Sequence, residues 1–144
     1  LPPVPYTVVP PDGHRFLAQT SVEVDELANE GLLLQRRGFL GRAFIESACL
    51  MRMQAPTIVH ESESIATLLA LAEAGVGVAV VQANADIRRR AIPLVVKGEP
   101  LLATLSAAWN PTAHLPSAAL ELIDAVDAKI RQKIQPYMLS AVRR

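Results

Sequence analysis

The stretch from Glu61 to Val81, ESESIATLLALAEAGVGVAVV, limits the fold more than any other part of the chain. Ile65, Leu68, Leu69 and Ala72 recur at helical spacing and give one apolar face. Ser62 or Ser64 can cap the start, because a hydroxyl oxygen accepts from the N–H groups that a first turn leaves without partners. Gly75 falls where a helix ends through a left-handed residue, which glycine adopts without a Cβ clash. Val76 to Val81 are then apolar and largely β-branched, as in a strand covered on both faces. A helix feeding a buried strand is the mark of an α/β sheet.

The rest of the chain repeats that alternation. Tyr6–Val9 reads as a strand ended by the turn Pro10-Pro11-Asp12-Gly13. Residues 21–30 read as a short helix with Val24, Leu27 and Ala28 inward, and Leu32–Gln35 as a buried strand. Arg36-Arg37-Gly38 forms a loop before a helix over 39–53, whose buried stripe holds Phe44, Ile45, Ala48, Cys49, Leu50 and Met51. Thr57–His60 is the next strand. Residues 84–90 are expected as a short helix capped by Arg88, Arg89 and Arg90. Ile92–Val96 carries Pro93 and is therefore expected at a sheet edge. A longer strand follows over 101–109. The last helix spans 117–134, with Leu120, Ile123, Val126, Ile130 and Ile134 inward; Pro136 is expected to stop it and to leave 137–144 as a frayed tail. Strands and helices alternating through short links specify a three-layer α/β/α sandwich.

Length and charge narrow the function. A chain of 144 residues suits one domain, and equal numbers of basic and acidic residues argue against a surface built to coat nucleic acid. The lone Cys49 excludes an internal disulfide and fits a reducing compartment. No run approaches the ~18 apolar residues that cross a membrane, and no basic-then-apolar leader opens the chain. Localisation is therefore expected to be cytoplasmic, with no membrane partner.

Catalytic patterns are missing. His14, His60 and His114 stand far apart, with no metal-binding spacing, so no metal or other cofactor is expected. His14 is either a ligand-contacting group or a surface turn residue. His60, beside Glu61, is a general base or a hydrogen-bonded histidine at a strand end. Gly75-Val76-Gly77 ends a helix and opens a strand, the reverse of the dinucleotide fingerprint.

A binding site is the better expectation. In open α/β sheets ligands lie beyond the carboxyl ends of strands, close to helix starts. Two stretches fall there: Gln35-Arg36-Arg37-Gly38-Phe39, whose guanidinium groups suit a carboxylate or another small anion, and Glu61-Ser62-Glu63-Ser64, with hydroxyl and N–H groups beside two acids.

The run Glu63-Ser64-Ile65, Leu68-Leu69-Ala70-Leu71, Glu73-Ala74-Gly75-Val76-Gly77-Val78-Ala79 resembles the effector-binding domain of LysR-type bacterial transcriptional regulators, as does Val24-Asp25-Glu26-Leu27-Ala28-Asn29-Glu30. Where the family usually places Pro after the strand, this chain has Gln82. The resemblance covers about residues 6–134 and implies a periplasmic-binding-protein-like (type II) fold. Residues 1–144 would then be a partial effector-binding domain, with a second subdomain over about 10–100. Crossover strands would lie at 6–9 and 102–109, and a C-terminal helix at 117–134. The implied effector contacts are Gln35, Arg36, Arg37, Gly38, Phe39, Glu63 and Ser64. They would hold a small, anionic metabolite in a cleft between subdomains.

The resemblance also places the family's winged helix-turn-helix and most of the first subdomain ahead of Leu1. Promoter DNA would then be reached only through a domain outside these residues. The inner face of helix 117–134 would lack its usual cover, so a homo-oligomer is expected. A periplasmic solute-binding protein, or a fragment of one, is the alternative; a small α/β enzyme is a third reading.

Overall fold

The structure is a computed structural model describing residues 1–110, 112 and 114–141, with side chains through Met138. Among the described residues eight strands form one mixed sheet: β1 (Val4–Val9), β2 (Val22–Glu23), β3 (Gly31–Gln35), β4 (Thr57–Ser62), β5 (Val78–Gln82), β6 (Ile92–Val96), β7 (Glu99–Pro100) and β8 (Leu102–Ala103). The α-helices that accompany them are α1 (Leu40–Met51), α2 (Ile65–Glu73) and α3 (Ser117–Ala141). The main order across the sheet is β2-β6-β1-β5-β3-β4, with β7 on β6 and β8 on β1. β3, β4 and β5 run parallel, while β1 is antiparallel to both β5 and β6.

Side-chain alternation along the strands builds the layers. Leu32, Leu34, Val78 and Val80 point to one face and meet Ile45, Ala48 and Cys49 of α1, together with Phe16, Val24 and Leu27. Leu33, Ala79 and Val81 point to the other and meet Leu68 and Ala72 of α2. Residues one apart on a strand therefore belong to different cores, which gives the three-layer α/β/α sandwich. A smaller cluster of Val4, Ala83, Ile130 and Ile134 docks the carboxyl half of α3.

The organising stretch folds as its residues dictate. Ser64 caps α2, its Oγ accepting from Thr67 N at 3.3 Å. Gly75 follows the helix with a φ of +82°, and β5 is buried through Val81.

Elsewhere tertiary contacts override local pattern. Residues 21–30 form β2 and a 3₁₀ turn over Val24–Asn29, because Val22–Glu23 pairs with Leu94–Val95 of β6 before a helix can start. β6 is thus interior and not an edge. Pro93 is tolerated because β2 begins opposite Leu94, one residue beyond it. Residues 84–90 form no helix; Arg89 is tied to Asp12, and Arg90 Nη2 donates to Gln19 O at 3.3 Å. The strand expected over 101–109 reduces to Leu102–Ala103, since β1 offers it only Val4 and Pro5 as partners.

The helix boundaries and faces shift as well. Pro136 lies inside α3 and not after it, where Tyr137 and Met138 pack on the Val4–Ala83 cluster and hold the last turns. Residues 142–144 of the expected tail lie outside the described residues. The inner face of α1 is Gly41, Arg42, Ile45, Ala48 and Cys49, leaving Leu50 and Met51 exposed. On α3, Ile130 and Ile134 are buried as expected, whereas Leu120 and Val126 face solvent.

Candidate functional site

Parallel strands β3, β4 and β5 end at Gln35, Ser62 and Gln82, and Gln35 pairs in register with Ser62. From the first two ends the chain enters α1 and α2. The starts of both helices therefore meet the carboxyl edge of the sheet, where their N–H groups favour a polar or negative ligand atom. Neither first turn contains an acidic residue. The two starts differ. Phe39, the N-cap of α1, contributes no side-chain cap, whereas α2 is capped by Ser64, and Ser62 Oγ accepts from Ser64 N at 3.1 Å. Each of these hydroxyls retains an O–H to donate.

Arg42 is the anchor. Its side chain is only 2% exposed, although it lies in the first turn of α1. Nη1 donates to Gln35 O at 3.1 Å and to Glu61 Oε1 at 2.8 Å. Nε lies 2.9 Å from Glu46 Oε1, a charge pair outside hydrogen-bond geometry. Burial alone lowers the pKa of this guanidinium, but Glu61 and Glu46 outweigh it and the net shift is upward. Arg42 thereby fastens α1 to the ends of β3 and β4.

Of the predicted residues, Arg36 and Glu63 come together as an ion pair between the loop after β3 and the start of α2. Arg36 N also donates to Ser62 O at 3.2 Å. Arg37 points along α1, its Nε 3.9 Å from Glu46. Gly38 has a φ of +98°, which allows the loop to turn into the helix. Phe39 is 37% exposed. Gln35 turns toward α1: its Oε1 lies 2.4 Å from where a Cβ on Gly41 would stand.

Three further side chains border this edge and were not singled out from sequence as site residues: Tyr6, Arg42 and Gln82. Gln82 Nε2 donates to the Tyr6 hydroxyl at 3.3 Å. Burial pushes the Tyr6 phenol up, with the Gln82 hydrogen bond pulling weakly the other way. The departure from Pro at Gln82 was the available signal; the pairing of residues 76 apart was not visible in the sequence.

The edge is charge-balanced, with three guanidinium groups (Arg36, Arg37, Arg42) against three carboxylates (Glu46, Glu61, Glu63). It is an open wall. Recesses of about 260, 370 and 450 Å³ lie elsewhere, around α2 and Arg89–Arg90, and none of the three is lined by the predicted residues. Among the described residues no group of His, Cys, Asp and Glu could hold a metal ion. His14 caps the 3₁₀ turn over Arg15–Ala18, its Nδ1 accepting from Phe16 N at 3.2 Å; Nε2 lies 3.0 Å from Glu30. His60 is exposed on β4.

The LysR substrate binding domain family matches residues 1–131. No curated protein sequence matches. Among solved structures the chain is similar to HinK, a LysR family transcriptional regulator from Pseudomonas aeruginosa. The TM-score is 0.71 at 22% identity, over 90% of this chain and 46% of that one. It is similar to a reduced form of OxyR from N. meningitidis, with a TM-score of 0.61 and 25% identity over 91% of this chain and 62% of that one. It also resembles the effector binding domain of QuiR in complex with shikimate, with a TM-score of 0.55 and 11% identity over 92% and 63% of the two chains. The chain thus spans about half the length of HinK and under two thirds of the other two.

Proposed function

The chain belongs to the LysR substrate-binding domain family, and from that premise we propose that it is the effector-sensing region of a bacterial transcriptional regulator. A small polar molecule docks at the carboxyl ends of β3, β4 and β5. The observation that carries this reading is the convergence of two helix starts with Gln35, Ser62, Ser64, Tyr6 and Gln82 on one edge of the sheet. These groups offer hydrogen bonds that a metabolite can exchange for water.

The exposed wall forms one side of a cleft whose other side comes from a first subdomain. On this reading β1 and β8, paired Val4–Ala103 and Pro5–Leu102, are the crossover strands. Effector binding closes the cleft and shifts the arrangement of subdomains within an oligomer, which changes how separate DNA-binding domains engage promoter DNA. The protein acts as a cytoplasmic sensor and not as an enzyme. Shikimate bound to the QuiR domain supports a small hydroxylated acid as one ligand type to screen. An acid of that kind would meet Arg36, Arg37 and the uncapped start of α1.

The test is a thermal-shift screen of small metabolites, shikimate included, against the chain and its Ser64→Ala and Gln35→Ala variants. The expected result is at least one compound whose stabilisation is lost in both variants. Stabilisation that survives both substitutions would place the ligand elsewhere and overturn this site.

A further inference from the structure

The ion pair between Arg36 and Glu63 joins the loop leaving β3 to the residue just ahead of the α2 cap. Both side chains are more than half exposed, at 59% and 58%. Arg42, by contrast, is enclosed and held by Glu61 and Glu46. Arg36 is therefore a guanidinium at this edge that a solute can reach, and a carboxylate of the protein already sits on it. Exposed pairs of this kind contribute little to stability, so Glu63 can be exchanged at small cost. A planar guanidinium also grips any oxyanion in the same fork geometry.

We propose that Glu63 is a built-in competitor for the effector. In the empty site its carboxylate occupies Arg36, and a small oxyanion binds by taking its place. The exchange severs the side-chain tie between the β3–α1 loop and the start of α2. Arg36 N to Ser62 O, at 3.2 Å, then remains the backbone link between the two. This deepens the effector reading above and rests on it: it gives the ligand an oxyanion group and names the contact that binding releases. Binding strength is then set partly by the protein's own acid, which weakens every competing anion by the same factor.

The test follows backbone amide shifts of the isotopically labelled 144-residue chain during titration with acetate and with inorganic phosphate, using acetamide as the uncharged control. In the native chain both anions are expected to move residues 35–39 and 62–65, while acetamide does not. Glu63→Gln should tighten both anions by about 1.4-fold to 5-fold, the range an exposed pair allows. Glu63→Asp should restore the native affinity, and Arg36→Gln should abolish the response with the remaining spectrum unchanged.

Anion binding that needs Arg36 but is indifferent to Glu63→Gln overturns the competitor role and leaves the effector site standing. Shifts confined to residues 86–90, or an equal response to acetamide, overturn both the oxyanion assignment and this placement of the ligand.

Discussion

Arg42 Nη1 donates to Glu61 Oε1 at 2.8 Å, so a cation from the first turn of α1 closes on a carboxylate near the end of β4. The two partners differ sharply in exposure, 2% for Arg42 and 40% for Glu61. That asymmetry sets what each substitution should do. Removing the cation leaves two carboxylates that water can reach, so Arg42→Met should cost only about 1–2 kcal/mol. Removing both acids, Glu46→Gln with Glu61→Gln, strands a buried guanidinium and should cost more, about 3 kcal/mol. Urea unfolding followed by circular dichroism checks the order. A double variant milder than Arg42→Met would show that the guanidinium is not the costly partner.

Acid should loosen the 3₁₀ turn over Val24–Asn29 first. Asp25 is held below the usual carboxylate range by its hydrogen bond from Arg52, the residue that ends α1. Glu26 is pushed up by burial but pulled down further by Gln19, the Glu23 N–H and Arg15, for a net lowering. Folded values below unfolded ones mean that these contributions are complete above the ordinary carboxylate value of about 4 and vanish as pH falls through the lowered ones. Hydrogen exchange from about pH 5 down to about pH 2 should show protection of residues 22–30 holding above about pH 4 and falling below it. Asp25→Asn combined with Glu26→Gln should flatten that pH dependence; an unchanged slope would remove these two acids as its source.

Cys49 should report the opening of α1. Burial pushes its thiol up, and the charges of Asp25 and Glu46 push it further. A thiol reagent at pH 8 should modify the native chain at least about a hundredfold more slowly than the unfolded chain. The rate should rise in parallel with any loss of the Asp25–Arg52 pair. Rapid labelling under native conditions would mean that α1 lifts from the sheet far more often than its packing implies.

Gly41→Ala should separate stability from binding. A Cβ there meets the end of a flexible Gln35 side chain, which can swing aside. The unfolding free energy should barely change, by less than about 1 kcal/mol, while the Gln35 amide is redirected. Any effector identified by the thermal-shift screen should then bind several-fold differently. Unaltered affinity would remove the Gln35 side chain from the contact set.

The amino half of α3 exposes Leu120, Leu122 and Val126, at 48%, 64% and 38%. Leu122 and Val126, four residues apart, share one side of the helix, and an exposed apolar face there favours association. Sedimentation should show the chain self-associating at about 100 µM, and Leu122→Lys with Val126→Lys should shift it toward monomer. An unmixed monomer in the native chain at that concentration would exclude the association.

Much of the fold was legible where local chemistry and tertiary packing agree. Ser64, the apolar face of α2, Gly75 and β5 all favour the same conformation, and there the expected and observed elements coincide. Legibility failed where a distant partner decides. Val22–Glu23 becomes a strand because β6 supplies its edge, and 84–90 stays irregular because Arg89 and Arg90 reach back to Asp12 and Gln19. Local helix signals could not register either contact. At the site, the two helix starts could be read from sequence. The carboxylates that occupy Arg36 and Arg42 could not, since a guanidinium beside a strand end reads the same whether free or paired.

β1 also carries a consequence for how the chain is made. Its six residues are all buried, between β5 and β6, and Tyr6 pairs with Gln82. Synthesis runs at about 5–20 residues per second, so this apolar segment leaves the ribosome roughly 4–15 seconds before its partner exists. During that interval VPYTVV is an unpaired sticky strand, and it is the part of the nascent chain that a holding chaperone would grasp. The central position of β1 thus makes it wait for partners seventy or more residues later in the chain, first β5 and then β6, before the sheet can close around it.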